Sequence, residues 1–468
     1  MKFCLRACRL VVIFIVGYLF VITLFPVAYA PASPEKPAPK VQLSYAQKSS
    51  GEPAADFQLI PDGLISLGSG NRPAYAIVVE KDTQTLLIYE HKDSFSLKHR
   101  YVCSTGKVKG KKQETGDKKT PEGVYFTTRV FNKSQLSPIY GHRAFVIDYP
   151  NLVDRKSNRN GNNIWIHGTN KPIKPRDSRG CVAMGNDDLK IVTQFIEMNR
   201  TPIIIEKRLS MVQPENRMAY YESLTEFLET WKTSFISGNK TKYMACYMEP
   251  SEELAAMWQA WDEIRTTWKQ AQLPFDITTK NVSLLKTNPY VVALFDEVFR
   301  LERHTSPVGT KKLFLHGHGD TWKIVGEVYQ PAEANSESIK PMFAALTRLD
   351  RLQKDHKDIS ELIAGWADAW SSKDITRYRA CYAEDFHEGR MDLSAWVRYK
   401  ERLNKRYQSI RVSVENLQIR QQSDRRTATF LQRYRSSGHR AVGMKTLRLK
   451  CIGGAWKIYR EIWHGKQK

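Results

Sequence analysis

The strongest constraint on how this chain folds is a repeat in its C-terminal half, at a spacing of about 135 residues. An apolar helical face appears twice, and aromatic residues further along keep the same register. The first copy of this face is Leu224, Phe227, Leu228, Trp231 and Phe235, and the second is Ile359, Leu362, Ile363, Trp366 and Trp370. Solenoid repeats have periods of roughly 20–50 residues, so this longer spacing predicts two duplicated domains.

Within each copy, helices come first and long alternating strands follow, which is the period-two pattern of half-buried strands. These strand-like segments are 311–315, 322–329, 426–434 and 446–450. This order of elements resembles the nuclear-transport-factor-like fold, in which a curved sheet wraps around helices and leaves a cone-shaped pocket. We therefore expect two α+β domains of this kind, at residues 221–332 and 356–468.

The N-terminus has the pattern of a secretory signal peptide. Basic residues precede an apolar run over residues 10–25, and the small residues Ala28 and Ala30 follow it. The run is shorter than the ~20 residues that span a membrane. We expect a signal peptide at residues 1–30, cleaved after Ala30, with a retained membrane anchor as the alternative. Residues 31–72 are rich in Pro, Ala, Ser and Lys, which predicts a linker.

Residues 73–207 are predicted to form a mostly-β domain. Short apolar segments alternate with turns, beginning with a hairpin in which 76–80 and 85–89 flank a turn-prone Lys-Asp-Thr-Gln. One helix is expected over residues 187–199, because apolar residues there recur at helical spacing, with Asn186 as its N-cap.

One stretch of this domain carries the residues of a thiol acyl-transfer enzyme. Such an enzyme needs a cysteine that becomes a thiolate, a base within hydrogen-bond reach and donors for the developing oxyanion. Cys181 lies in a turn, where Arg179 and free backbone N–H groups favour an anionic sulfur, and His167 ends an apolar strand. The amides of Gly180 and Cys181 are candidate oxyanion donors. From the residues alone, a disulfide half or a buried cysteine beside a structural histidine remains the alternative.

The spacing of these residues resembles the catalytic signature of the YkuD-type L,D-transpeptidases. The signature segments are His-Gly-Thr at 167–169 and Ser-Arg-Gly-Cys-Val at 178–182. Ser-Thr-Gly-Lys at 104–107 and Thr-Pro-Glu-Gly-Val-Tyr at 120–125 resemble that family's upstream segments. The resemblance covers residues 73–207. It implies that these residues form a mostly-β catalytic domain.

The resemblance implies a periplasmic, wall-associated enzyme that acts on the bond between the third residue and the terminal D-amino acid of peptidoglycan stem peptides. It implies that Cys181 forms a thioester, and that His167 takes the thiol proton while the carbonyl of Gly168 holds its second ring nitrogen. Arg179 holds a substrate carboxylate or orients the oxyanion side, and Ser178 shapes the turn. This mechanism requires no metal ion and no organic cofactor.

The acceptor of the acyl group decides between two activities. An amine acceptor makes the protein an L,D-transpeptidase, which is the family-level expectation, and water makes it an L,D-carboxypeptidase that trims tetrapeptides to tripeptides. The domain combination resembles the cell-shape-determining L,D-carboxypeptidases of curved and helical Gram-negative bacteria, although one C-terminal copy is expected there. The insert around residues 158–163 also resembles the hydrolytic and lipoprotein-linking branches. Tyr140 and Thr169 are the candidate substrate-binding residues.

A catalytically idle, wall-binding scaffold is the hypothesis from a different class. The chain has 72 Lys plus Arg against 49 Asp plus Glu, for a net charge of +23, and residues 359–468 alone hold 23 basic and 11 acidic residues. Carboxylates and phosphates of the cell wall, or envelope proteins, are partners that such a surface fits, and a solvated basic surface fits the same pattern. Export argues against nucleic acid as a partner. The sequence does not indicate the oligomeric state.

Overall fold

The computed structural model describes residues 59–68, 73–318, 321–331, 341–422 and 424–465. The predicted signal peptide and most of the predicted linker therefore lie outside the described residues. Within the described part of the chain, no helix is long and apolar enough to cross a membrane.

The last part of the predicted linker is ordered. It contains two short strands, β1 (Ile60–Pro61) and β2 (Leu64–Ser66), and their apolar side chains are almost fully buried. β2 pairs with the edge of the sheet of the first repeat. The linker prediction is wrong for residues 59–68, because these few apolar side chains enter a core that the Pro-rich composition around them did not indicate.

The β domain is built on one mixed eight-stranded sheet, as its alternating apolar segments predict. Its strands are β3 (Ala74–Glu80), β4 (Thr85–His91), β5 (Phe95–Val102), β6 (Gly123–Asn132), β7 (Arg143–Ile147), β8 (Trp165–Thr169), β9 (Val182–Gly185) and β10 (Pro202–Glu206). Their spatial order is β5-β4-β3-β10-β6-β7-β8-β9. The pairs β3/β10 and β8/β9 are parallel. The helices are α1 (Leu152–Lys156) and α2 (Asn186–Val192).

The helix predicted over residues 187–199 is shorter than expected. α2 ends at Val192, and a 3-10 turn over Thr193–Phe195 follows it. Asn186 is the first helical residue, and the N-cap is Gly185. The N-cap prediction for Asn186 is wrong because its side-chain amide bonds to neighbouring loops instead of to the helix.

The first repeat follows the expected order of helices and then strands. After β11 (Met211–Val212), which pairs with β1, come α3 (Met218–Ser237), α4 (Lys240–Ala245), α5 (Glu252–Gln270), β12 (Phe275–Lys286), β13 (Tyr290–Leu301), β14 (His304–His318) and β15 (Thr321–Pro331). The sheet order is β15-β14-β13-β12-β2. The helices cover one face of this sheet, where Trp231 and Trp261 are fully buried as core residues.

The second repeat has the same plan. Its elements are α6 (Pro341–Ser371), α7 (Ile375–Ala380), β16 (His387–Glu388), β17 (Met391–Asp392), α8 (Leu393–Arg406), β18 (Ile410–Gln422), β19 (Arg425–Ser436), β20 (Arg440–Ile452) and β21 (Ala455–Gly465). The last four strands form an antiparallel sheet in chain order. α6 begins ahead of the boundary expected at residue 356, and its first turns bury Met342 and Leu346 in the core of the first repeat.

The β domain and the first repeat share a hydrophobic core. Val78 and Ile204 from the sheet of the β domain pack with Val292 and Phe314 from the sheet of the first repeat. The second repeat has a separate core around Trp366. Because burial of apolar surface is the main favourable term in folding, the β domain and the first repeat form one packed unit.

Candidate active site

His167 is held in one orientation on β8. The side chain is buried, and its Nδ1 lies 2.6 Å from the carbonyl oxygen of Gly168, the contact that the resemblance implies. A carbonyl oxygen only accepts, so Nδ1 carries the proton and Nε2 is left as a proton acceptor. Burial lowers the pKa of His167, although the Gly168 contact opposes this. The ring is therefore neutral near pH 7, which is the form that a base requires.

Cys181 lies at the start of the strand that neighbours the strand of His167. The residue directly before β9 is Cys181, and the β8/β9 register pairs His167 with Ala183, two residues further on. Two residues along the chain and one strand across place the Cα atoms of Cys181 and His167 roughly 8 Å apart. The half-buried thiol has its Sγ 3.6 Å from the carbonyl oxygen of Asn163.

The thiol of Cys181 is protonated in the resting protein. Burial raises its pKa to about 11, while a hydrogen bond from the Trp165 backbone and the charge of Lys112 act in the opposite direction. The cation that lowers this pKa is Lys112, and the effect expected of Arg179 on the sulfur stays a prediction. A thiol in this state needs a base to become nucleophilic.

Ser178 closes the turn that presents Cys181. Its hydroxyl donates to the carbonyl oxygen of Cys181 at 2.6 Å and accepts from the Gly180 N–H at 3.0 Å. Gly180 has φ +129°, and a Cβ there would lie 2.9 Å from the Lys119 carbonyl oxygen, so the turn requires glycine. The predicted pair of oxyanion donors is not formed, because the Gly180 N–H is used inside the turn. The amide of Cys181 is the remaining candidate.

The other predicted site residues differ in how they are held. Arg179 is exposed and has no ion pair with any residue that the structure describes. Tyr140 packs edge-on against the ring of His167, with centroids 5.0 Å apart. The hydroxyl of Thr169 accepts from the Lys171 N–H at 3.1 Å. Tyr140 thus fixes the histidine ring, whereas Arg179 is open to a ligand.

Two residues of the site lie outside the sequence prediction. Asn186 accepts from the His142 N–H at 3.0 Å and donates to the Thr169 carbonyl oxygen at 3.1 Å, so it ties two loops beside His167 together. Lys112 is buried and forms an ion pair with Asp117 at 2.7 Å. Burial raises the pKa of Asp117, but the Lys112 contact and three backbone N–H groups outweigh it and lower the pKa to about 2. The sequence signal for Asn186 was its place directly after β9, where it was taken for a helix cap.

Family models match two parts of the chain. Residues 74–205 match the L,D-transpeptidase (YkuD) catalytic domain, and residues 358–462 match the Cds6 C-terminal NTF2-like domain. These matches confirm the predicted fold class of a mostly-β domain followed by α+β domains of the nuclear-transport-factor-like kind.

Known proteins resemble the chain over parts of its length. YafK of Escherichia coli K12, named as a candidate L,D-transpeptidase, is 33% identical over 127 residues, which are 26% of this chain and 47% of YafK. The match thus spans about half of that relative. The helical cell shape determining protein Pgp2 from Campylobacter jejuni is 22% identical with a TM-score of 0.45, over 57% of this chain and 96% of that one. Bd1075 from Bdellovibrio bacteriovorus is 21% identical with a TM-score of 0.30, over 88% of this chain and 100% of that one.

Proposed function

We propose, from the L,D-transpeptidase catalytic domain that this chain contains at residues 74–205, that the protein is an exported, periplasmic peptidoglycan enzyme. It acts on the bond between the third residue and the terminal D-amino acid of stem peptides, with Cys181 as the nucleophile. The observation that carries the proposal is the Nδ1 contact of His167 with the Gly168 carbonyl oxygen at 2.6 Å, on the strand beside β9, which Cys181 directly precedes. This contact leaves Nε2 free to accept the thiol proton.

In the first half-reaction, His167 Nε2 takes the proton from the Cys181 thiol as Sγ attacks the carbonyl carbon of the third residue. The tetrahedral intermediate collapses, the peptide bond breaks, and the proton on His167 passes to the departing amine of the D-amino acid. A thioester on Cys181 remains. The Cys181 N–H is the candidate donor to the oxyanion. Arg179 is the candidate partner for a substrate carboxylate, because its guanidinium is exposed and forms bidentate pairs well.

In the second half-reaction, His167 activates the acceptor. An amine gives L,D-transpeptidation, and water gives the L,D-carboxypeptidase reaction. We place transpeptidation first and the carboxypeptidase reaction as the alternative.

The muropeptide products of purified protein with a disaccharide tetrapeptide separate these reactions. Dimers joined through two third residues identify transpeptidation, and tripeptide alone identifies the carboxypeptidase. Cys181→Ala should abolish either product, whereas Cys451→Ala, which changes an exposed cysteine, should leave it unchanged. Product that persists in Cys181→Ala contradicts the proposal.

The pH dependence of turnover tests the role of His167. Because burial lowers its pKa, the neutral base is present from below its ordinary pKa of 6.5 upward. We expect kcat/KM for tetrapeptide to rise with pH, with a midpoint below pH 6.5. A midpoint above 6.5 would contradict His167 as the base.

A second candidate function is ligand binding by the second repeat. Its cone holds a cavity of about 460 Å³ with Trp370, Lys400 and Gln432 in its wall. The ammonium of Lys400 is buried, lies 3.5 Å from the ring centroid of Trp370, and has no ion pair among the described residues. Trp370 Nε1 and Gln432 Oε1 are buried without hydrogen-bond partners. Buried polar groups normally have partners, so these atoms support a polar ligand. The Trp370 N–H and the Lys400 amine are donors that suit a cell-wall carboxylate, whereas Gln432 Oε1 is an acceptor and needs an N–H or O–H of the ligand.

This binding function is tested with Cys181→Ala protein and a disaccharide tripeptide by calorimetry. Lys400→Met should remove binding. Arg448→Met, which removes the same charge from an exposed position of β20, should keep it. Equal binding by both variants contradicts the role of the cavity.

A further inference from the structure

The β domain matches the L,D-transpeptidase catalytic domain and is called the catalytic domain from here on. It meets the first repeat at a buried tyrosine. Tyr290 begins β13 of the first repeat, and its hydroxyl accepts hydrogen bonds from the Val124 N–H at 3.0 Å and from the Asn151 side-chain amide at 2.9 Å. All three belong to a buried contact between the two domains. A Cβ at Gly123 would lie 2.6 Å from this hydroxyl, so glycine there permits the close approach.

From Tyr290 the contact continues into α1 of the catalytic domain. Asn151 is the N-cap of α1, and its side-chain oxygen accepts from the Asp154 N–H at 2.9 Å. The Asp154 carboxylate accepts from the Tyr125 hydroxyl at 3.0 Å and from Arg159 at 2.9 Å. Asn151 and Asp154 are almost fully buried. The amide on one side of Asn151 thus holds Tyr290, and its oxygen on the other side fixes the start of α1.

Arg159 lies in the segment of residues 157–163, which ends beside the nucleophile Cys181. The N–H of the next residue, Asn160, donates to the Gln113 carbonyl oxygen at 2.9 Å, and its own carbonyl accepts from Tyr149 at 3.1 Å. Three residues later the carbonyl oxygen of Asn163 lies 3.6 Å from the Cys181 Sγ. One connected set of contacts therefore joins the first repeat to the sulfur.

We infer that Tyr290 of the first repeat is a positioning residue for the nucleophile, acting through α1 and the segment of residues 157–163. The inference rests on the proposed function of Cys181. The first repeat holds this segment so that the Asn163 carbonyl lies beside the Cys181 Sγ and fixes its side-chain rotamer. The S–H then turns from this carbonyl toward His167 Nε2 when the proton is transferred. Without the Tyr290 hydroxyl, the Asn151 amide and the Val124 N–H each lose a buried acceptor. Residues 157–163 are then held less firmly beside the Cys181 Sγ.

The test compares Tyr290→Phe with a matched variant on the same strand. Asp296 is also on β13 and also contacts the catalytic domain, through Arg200 at 2.6 Å, but its contacts do not lead to the segment of residues 157–163. Asp296→Asn therefore controls for a general weakening of the contact between the domains. The two readouts are turnover of disaccharide tetrapeptide and the rate of Cys181 alkylation by iodoacetamide, followed by peptide mass spectrometry to separate it from the other cysteines.

We expect Tyr290→Phe to turn over tetrapeptide about tenfold more slowly and to alkylate Cys181 at least threefold faster, because the Asn163 carbonyl no longer covers the sulfur. Asp296→Asn should stay within twofold of the unchanged protein in both. Equal values for the two variants, in either readout, overturn the inference.

A second variant reaches the same hydrogen bond from the other side. Asn151→Ser keeps a capping oxygen for α1 but removes the amide that donates to Tyr290, so it should repeat both effects if Tyr290→Phe folds poorly. If the unchanged protein turns over no tetrapeptide, the proposed function fails, and the alkylation rates still decide the positioning role.

Discussion

The two repeats have the same fold and different surroundings. In the first repeat, Lys311 is fully buried between Glu297 at 3.3 Å and Glu327 at 3.7 Å, and it also lies 3.6 Å from the sulfur of Met342 on α6. The outer face of its sheet is covered by the catalytic domain. Ion pairs and Met342 therefore surround Lys311, while a cavity of about 490 Å³ lies beside Tyr247 and Glu327.

The second repeat keeps the corresponding space open. Lys445 and Glu461 occupy the positions of Lys311 and Glu327, whereas Gln432 stands where the first repeat has Glu297. Lys445 pairs with Glu461. The second repeat therefore has one acid fewer at these positions, and the wall of its cavity of about 460 Å³ carries Lys400, Arg406 and Lys445 together with Glu388. The two copies thus have the same kind of aromatic core, while only the first shares the described core with the catalytic domain and the second has a cavity beside Lys400.

The largest effect should come from truncation. A chain that ends at Gln353 retains the first repeat and the turns of α6 that complete its core, so we expect a folded protein with turnover within about threefold of the full chain. A chain that ends at Gln213 exposes Val78 and Ile204, and we expect it to aggregate because an apolar sheet face is left uncovered. Size-exclusion chromatography and the muropeptide assay measure both. A monomeric, active chain ending at Gln213 would contradict the shared core.

Much of this architecture could be predicted from the sequence. The repeated apolar face predicts two domains in which helices precede strands, because Trp231 and Trp366 occupy matching positions of the 135-residue repeat. The core shared by the catalytic domain and the first repeat was not predicted. The alternation of apolar and polar residues indicates which face of a strand is buried, but not which element covers that face. One signal was available: residues 290–295 of β13 are an unbroken apolar run and are buried on both faces, which is typical of a strand covered on two sides.

Only part of the candidate site could be predicted from the sequence. His167, Gly168 and Cys181 follow from their spacing, because a strand and a turn fix them locally. The use of the Gly180 N–H by Ser178 and the burial of Lys112 could not be predicted. The first depends on the backbone conformation of the turn, and the second on how the loop around Glu114 and Asp117 folds over the lysine.

Replacing the matched tryptophans should give the next largest effect. Trp231→Ala and Trp366→Ala each remove a fully buried indole, so each should cost about 3–5 kcal/mol of unfolding free energy in its own domain. Only Trp231→Ala should also reduce turnover, because only the first repeat packs on the catalytic domain. Denaturant unfolding with the muropeptide assay measures both changes. Equal losses of turnover would break the distinction between the repeats.

A smaller effect should appear in the pH dependence of the second repeat. Burial lowers the pKa of Lys400 to about 7, below its ordinary value of 10.5. Between these values the unfolded chain binds the proton and the folded chain does not, so the free energy of unfolding should rise as the pH increases from 7 toward 10. Lys400→Met should remove this rise, and Arg448→Met should keep it. Thermal unfolding at pH 6, 7, 8 and 9 measures it, and an unchanged slope in Lys400→Met contradicts the buried amine.

The smallest effect should come from a pair of cysteines that neither the catalytic domain nor the cavity touches. Cys246 and Cys381 are buried at the same position of the two repeats, and each Sγ donates to a carbonyl oxygen one turn earlier at 3.4 Å, from Lys242 and Arg377. Serine keeps this hydrogen bond and loses some apolar contact, so Cys246→Ser and Cys381→Ser should each lower the unfolding free energy by about 1 kcal/mol. Denaturant unfolding of the two variants should give values within about 0.5 kcal/mol of each other. A larger difference would mean that the repeats diverge in their cores as well as in their surroundings, because at this position the two copies make the same contact.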